Sequence, residues 1–267
     1  MTFYQIENSA LNNLISLHYK LQHGCFFSDL YYDERALFAY NDIMDCFIWN
    51  HVFPYNLNSN LEEVIADSER FLNSRQKNAC IYLDNATNTE TNKQILQASG
   101  YELVDIEAWM MYVPGSTQEE TKKEEYLRMK CVADEEELDK FLEICTECFD
   151  NTYSMAIKRE FNRYQVDKEV EHYLFYDENA YIVGIASIYS NKDSYFIHNV
   201  GVSQKHRKQG YGTSITNLLL YEITNKNNSN VKIVLQCDGE TYKETMYKKI
   251  GFQNIYRRFG YLKNENR

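Results

Sequence analysis

The 267-residue chain has only two prolines and ten glycines, and Gly24 is the one glycine before position 100. With so few breakers, each one that does occur marks a boundary or a special backbone position. A long apolar run is missing and mean hydropathy is −0.57, which argues against a membrane-spanning helix. The first residues, Met-Thr-Phe-Tyr-Gln-Ile-Glu-Asn, lack the basic and then apolar pattern of a secretory leader, so a cytoplasmic protein is expected. A basic excess is missing too. The formal net charge is −11, which excludes the electrostatic footprint of a non-specific nucleic-acid binder. The seven cysteines do not come in metal-ligand pairs. Cys145 and Cys148 form the one close pair, with no second pair or histidines at ligand spacing. They fall on a helical pattern with Leu138, Phe141 and Leu142 on one face, so a structural helix is expected and no metal.

What is present is core. Hydrophobic residues make up 44% and aromatics 15%, including 23 tyrosines, which is too rich for disorder. The length suits one large domain or two ordinary ones. The charge is unevenly placed. Residues 1–120 hold 17 acidic against 6 basic residues, whereas residues 121–267 hold 22 of each. An acidic half favours a cationic partner or substrate through long-range attraction, or serves solubility alone.

Pro114-Gly115-Ser116-Thr117 opens a polar stretch that reads as a linker over 116–125, between domains 1–115 and 126–267. After it the pattern predicts a strand at 126–132, a helix at 134–149 capped by Asp134, and a helix at 156–170. Strands follow at 172–176, 182–189 and 195–202, then a helix at 210–225, a strand at 231–237, a helix at 240–249 and a strand at 252–261. A meander joined to helical crossovers is an α/β (α+β) pattern with a mixed sheet.

One segment carries recognisable chemistry. Val200-Gly201-Val202 ends an apolar strand and leads into Ser203-Gln204-Lys205-His206-Arg207-Lys208-Gln209-Gly210-Tyr211-Gly212-Thr213, which opens a helix. Amides at a helix N-terminus bind anions, and glycines let the backbone approach phosphates. Lys205, Arg207 and Lys208 add positive charge. The segment fits neither Gly-x-x-x-x-Gly-Lys-Ser/Thr nor Gly-x-Gly-x-x-Gly.

The spacing Arg207-x-x-Gly210-x-Gly212 resembles the acetyl-CoA loop of the GNAT superfamily of N-acetyltransferases. Tyr247 four residues before Gly251-Phe252 resembles the family's late motif, and the element order over about 124–262 agrees. The resemblance implies a mostly antiparallel sheet flanked by helices, with central strands splayed around acetyl-CoA as acyl donor. It implies that Val200, Gly201 and Val202 pair with the pantetheine arm. Arg207, Lys208, Gln209, Gly210, Tyr211, Gly212 and Thr213 would hold the pyrophosphate. Tyr247 matches the general acid that protonates the leaving thiolate. His198, on a strand nine residues before Arg207, is similar in offset to the strand histidine of serotonin N-acetyltransferases and is the candidate base. His198 and Tyr247 each also read as packed core residues. Glu240 departs from the family, which commonly has Asn there; Gln236, Asp238 or Thr241 are the substitutes.

The first half repeats part of this order. A helix at 62–73, a strand at 79–84, a helix at 92–99 and Gly100-Tyr101 parallel the elements leading to Gly251-Phe252. This half resembles a degenerate GNAT copy. Its loop at 54–60, after a strand at 45–53, has no glycine and no basic residue, so this domain is not expected to bind acetyl-CoA in the usual way. It would shape the acceptor cleft or cover a sheet edge.

The expectation is an acetyl-CoA-dependent N-acetyltransferase acting on a primary amine of a small or peptidic, cationic acceptor, working as monomer or homodimer. Tandem GNAT proteins with one worn domain resemble, among others, self-resistance enzymes that acetylate cationic peptide antibiotics. The alternatives are a protein lysine or N-terminal acetyltransferase and a non-catalytic acyl-CoA-binding module.

Overall fold

A computed structural model describes residues 8–54, 61–116, 125–149, 151–226 and 231–264. Most of the expected linker (117–124) and most of the first-half loop (55–60) lie outside the described residues. By contacts the chain divides into two compact units. The first comprises residues 1–21, 109–236 and 242–255, and the second comprises 22–108, 237–241 and 256–267.

The first unit contains most of α1 (Asn8–Gln22), β6 (Arg128–Cys131), α4 (Glu135–Cys148), α5 (Tyr153–Tyr164), β7 (Val170–Tyr176), β8 (Ile182–Ser190), β9 (Ser194–Val202), α6 (Tyr211–Lys226), β10 (Lys232–Asp238, to Gln236) and α7 (Tyr242–Ile250). Strands β6 to β9 form an antiparallel meander, and β10 pairs parallel to β9. β8 is buried along almost its whole length, as a strand covered on both faces must be. α4 starts where its cap chemistry puts it. The Asp134 carboxylate accepts from the Glu137 amide at 2.9 Å, and the Glu137 carboxylate accepts from the Ala133 amide at 2.8 Å.

The expected helix at 156–170 is shorter and earlier. α5 ends at Tyr164, Lys168 takes a left-handed φ of 54°, and Val170 pairs with Tyr189 in the sheet. Sheet pairing overrides the helical periodicity that Val166 and Val170 continue.

The second unit contains β1 (Asp29–Tyr32), β2 (Ala36–Tyr40), β3 (His51–Pro54), α2 (Leu61–Asn73), β4 (Cys80–Asp84), α3 (Glu90–Ala98), most of β5 (Tyr101–Tyr112) and the end of β11 (Phe252–Lys263). β1, β2 and β3 are antiparallel, β3 and β4 are parallel, and β4 pairs antiparallel with Arg258 to Leu262. Its core gathers Val52, Val64, Leu72, Ile81, Leu83, Leu96 and Tyr101. The strand expected at 45–53 is instead a 3-10 turn, Phe47–Trp49, followed by β3. The Asn50 side chain causes this, donating to the carbonyls of Met44 and Cys46 and accepting from the Asn41 amide.

The order β-β-β-α-β-α-β occurs in both halves of the sequence, as β1 to β5 and again as β7 to β11. Gly100 and Gly251 follow the last helix of each set with φ of 81° and 113°, the backbone that closes a helix and favours glycine.

Candidate functional site

The first unit opens at β9. Parallel pairing with β10 runs from Ser194↔Lys232 to Ile197↔Leu235 and goes no further among the described residues. Beyond it, β9 pairs only with β8, and there the register slips between Ile185↔Gly201 and Ser187↔His198. Asn199 takes a φ of 52° at this bulge, a left-handed backbone that asparagine tolerates better than most residues. The bulge and the lost pairing leave the polar backbone of 198–202 facing away from β8 without a strand partner.

Backbone packing behind the opening is tight. A Cβ at Gly184 would collide with the Gly201 carbonyl oxygen, and a Cβ at Gly201 would stand 2.9 Å from Cys148 Sγ. The Cys148 thiol donates to the Val202 carbonyl at 3.3 Å, and burial pushes its pKa up, so it stays a thiol. Cys148 ends α4, so its role is to seat that helix against β9.

The loop from Ser203 begins as a 3-10 turn, Gln204–His206. It is braced to the end of α4: Gln204 donates its amide to Glu147 Oε2 at 2.8 Å, and Arg207 donates to the Glu147 carbonyl at 2.9 Å and the Val202 carbonyl at 3.2 Å. The Arg207 guanidinium therefore fixes the loop's base. His206 Nδ1 lies 2.8 Å from Ser203 Oγ, which also keeps it local. Lys205, Lys208 and Gln209 are exposed. Lys208 and Gly210 both turn left-handed, with φ of 62° and 87°, and nothing lies within 4 Å of a Cβ placed on Gly210. The Gly210 carbonyl accepts from Thr213 and Ser214, so α6 starts at once, with its first-turn amides directed at the loop. Leu218, Leu219, Ile215 and Ile223 bury one side of α6 and fix that direction.

The expected residues meet in part. Val202, Gly212 and α7 come together: a Cβ on Gly212 would lie 3.8 Å from Val202 Cγ2 and 3.7 Å from Met246 Sδ. Tyr247, next to Met246, is buried and packs edge-on against Phe252 at 5.8 Å. His198 is half-buried, and its Nε2 is buried with no hydrogen-bond partner among the described residues. Its ring is stacked by Tyr189 at 4.3 Å and His18 at 5.4 Å. Burial pulls its pKa down to about 3, so the imidazole is neutral at physiological pH.

Glu240, the departure from the family pattern, pairs with buried Arg257 at 3.2 Å, with a φ of 60°. Both residues belong to the second unit. Cys148 and Asn199 are residues of this site that sequence reasoning passed over. Cys148 was legible only as helix face. Asn199 had a faint signal, an Asn before Val-Gly inside a strand.

The residues fit a pyrophosphate and an extended amide-bearing arm: a basic loop with a bare Gly210, helix amides, and a strand edge on one side. Among the described residues no helix is long and apolar enough to cross a membrane.

Residues 131–261 match the model of the acetyltransferase (GNAT) domain. None of the curated proteins matches the chain. Among solved structures, a GCN5-related N-acetyltransferase from Kribbella flavida is similar, with a TM-score of 0.68, 13% identity and 95% of each chain covered. A conserved protein of unknown function from Staphylococcus epidermidis has a TM-score of 0.66 at 16% identity, covering 87% of this chain and 92% of the other. A tandem GNAT protein from the clavulanic acid biosynthesis pathway has a TM-score of 0.59 at 8% identity, covering 85% and 77%. At such identities the likeness is one of fold, and the family rests on the domain match together with the loop and the splayed strands. Residues 131–261 are thus a domain of the GNAT acetyltransferase family.

Proposed function

We propose that the chain is an acetyl-CoA-dependent N-acetyltransferase that acts on a primary amine of a small or peptidic, cationic acceptor. One observation carries this reading: parallel pairing stops at Ile197↔Leu235, directly upstream of a basic loop that ends in the helix amides of α6. When bound, acetyl-CoA supplies an acetyl group activated as a thioester.

The protein's own residues divide the remaining work. The backbone of Val200 and Gly201 and the Val202 amide offer hydrogen bonds to an extended amide arm, the Val202 carbonyl being held by Cys148 and Arg207. The amides of 208–212, with Lys208 beside them, hold phosphate charge, and Arg207 keeps that loop in place through the Glu147 and Val202 carbonyls. Gln209, Tyr211 and Thr213 line the same turn. His198 is the candidate base, and as a neutral ring it does not repel a cationic head. Tyr247 delivers the proton that the departing thiolate needs. The acidic residues of 1–120 attract a polycation over long range, and acetylation of a cationic antibiotic is one reaction of this kind.

The test is calorimetric titration with acetyl-CoA, followed by thiol release against polyamines, aminoglycosides, amino acids, cationic peptides and lysine-bearing proteins. Binding with turnover on one cationic amine supports the proposal. Binding with silence across the panel favours an acyl-CoA-binding module. No binding refutes both.

A further inference from the structure

Glu160 lies on the buried stripe of α5 with Ile157, Phe161 and Tyr164, and none of its surface is exposed. A carboxyl in an apolar stripe is costly without partners. Its Oε1 accepts from the Tyr189 hydroxyl at 2.5 Å. Its Oε2 has no hydrogen-bond partner among the described residues and lies 4.0 Å from Nε2 of His172, a second buried atom without one. His172 Nδ1 is 2.8 Å from Ser187 Oγ, which accepts from the Asn199 side-chain amide at 3.1 Å. A line of side chains therefore runs from α5 across β7 and β8 to the bulge of β9. A shorter branch runs through Tyr189, whose ring stacks on His198. Both branches end at the two residues where β9 leaves β10.

We propose that Glu160 is a positioning residue for the opened stretch of β9, holding the His198 ring through Tyr189 and the Asn199 amide through His172 and Ser187. This rests on the reading that residues 198–202 face the thioester donor.

The titratable groups facing Glu160 are Tyr189 from β8, His172 from β7 and the Cys145 thiol from α4. Burial raises the Glu160 pKa to about 8, opposed by the Tyr189 hydroxyl, and burial pulls His172 down to about 3. Near pH 7 the carboxyl keeps its proton, Oε2–H faces the Nε2 lone pair, and Nδ1–H donates to Ser187. Above about pH 8 that proton passes to solvent and Oε2 can only accept. His172 then moves its own proton from Nδ1 to Nε2, and the Ser187 hydroxyl donates to Nδ1. The hydroxyl that receives the Asn199 amide is thereby reoriented.

Nitrogen NMR of histidine-labelled protein reads this directly, before any ligand is added. The His172 tautomer is expected to switch with a midpoint near pH 8, and the His198 ring signals to move with it. In Glu160→Gln both are expected to stay flat. A single His172 tautomer from pH 6 to 10 in the unaltered protein, or the same midpoint in Glu160→Gln, overturns the proposal. Calorimetry then links it to the site. Acetyl-CoA affinity is expected to fall about tenfold between pH 7 and 9 in the unaltered protein, a decline absent in Glu160→Gln, and Tyr189→Phe is expected to bind about threefold more weakly at pH 7. Constant affinity in the unaltered protein over that range overturns it. If the unaltered protein does not bind acetyl-CoA at all, the proposed function fails, and the tautomer still decides the positioning of β9.

Discussion

The Tyr189 ring lies over that of His198, with centroids 4.3 Å apart and 29° between the planes. This contact removes water from one face of the imidazole and accounts for part of the burial that holds its pKa near 3. A base so weak does not set a neutral-range limb. At saturating acetyl-CoA we expect the pH dependence of kcat/KM for the amine between pH 6 and 9 to follow the acceptor amine, with the same midpoint in His198→Gln. A midpoint that moves by a unit or more in that variant would contradict this.

Tyr247 lies at the α7 position beside Met246, which neighbours Gly212. Tyr247→Phe is expected to slow turnover by roughly 10- to 1000-fold and leave acetyl-CoA affinity nearly unchanged. Single-turnover kinetics beside calorimetry separate the two, and unimpaired turnover removes Tyr247 as the acid.

Gly201 and Cys148 are packed to the limit. Gly201→Ala is expected to cost about 1–3 kcal/mol in urea unfolding, because its Cβ would stand 2.9 Å from Cys148 Sγ. Much of that loss is expected to return in the double variant with Cys148→Ala, where the clashing sulfur is gone. Equal losses in single and double variants would place the strain elsewhere, with Ile185 Cγ1 at 3.1 Å the next neighbour.

His51, His172 and His198 are each pulled by desolvation to a pKa of about 3, and Glu160 is raised to about 8. Between about pH 3 and 6.5 each histidine is neutral when folded and protonated when unfolded, so stability falls as pH drops through that window. Glu160 is protonated when folded and ionised when unfolded between about 4.5 and 8, so its contribution falls as pH rises through that window. Below 6.5 the three histidines oppose Glu160 and the carboxyl of Asp105, which burial also raises, and above it no histidine offsets Glu160. The urea midpoint is expected to peak near pH 6.5 and to lose its decline toward pH 8 in Glu160→Gln. A midpoint that climbs steadily to pH 8 would disprove this balance.

Local chemistry made much of the fold legible. Asp134 with Glu137 announces the start of α4, Gly210 and Gly212 announce the loop into α6, and Gly251 announces the turn into β11. Long-range packing hid the rest. Nothing local shows that Val170 joins a sheet, or that Asn50 folds the chain back onto Met44 and Cys46. Glu160 did leave a trace: an acid between Ile157, Phe161 and Tyr164 on an apolar face. Its partners, Tyr189 and His172, lie on two separate strands and come to it only on folding.

The halted pairing at Ile197 also gives the protein an adhesive rim. Five residues of strand edge, 198–202, can be completed by a ligand's amides or by another extended chain. On the proposed function, a donor seated there would complete that edge, and folded lifetime and cellular abundance would track the supply of coenzyme thioester. Without it, the same rim stays open to pairing with another extended chain.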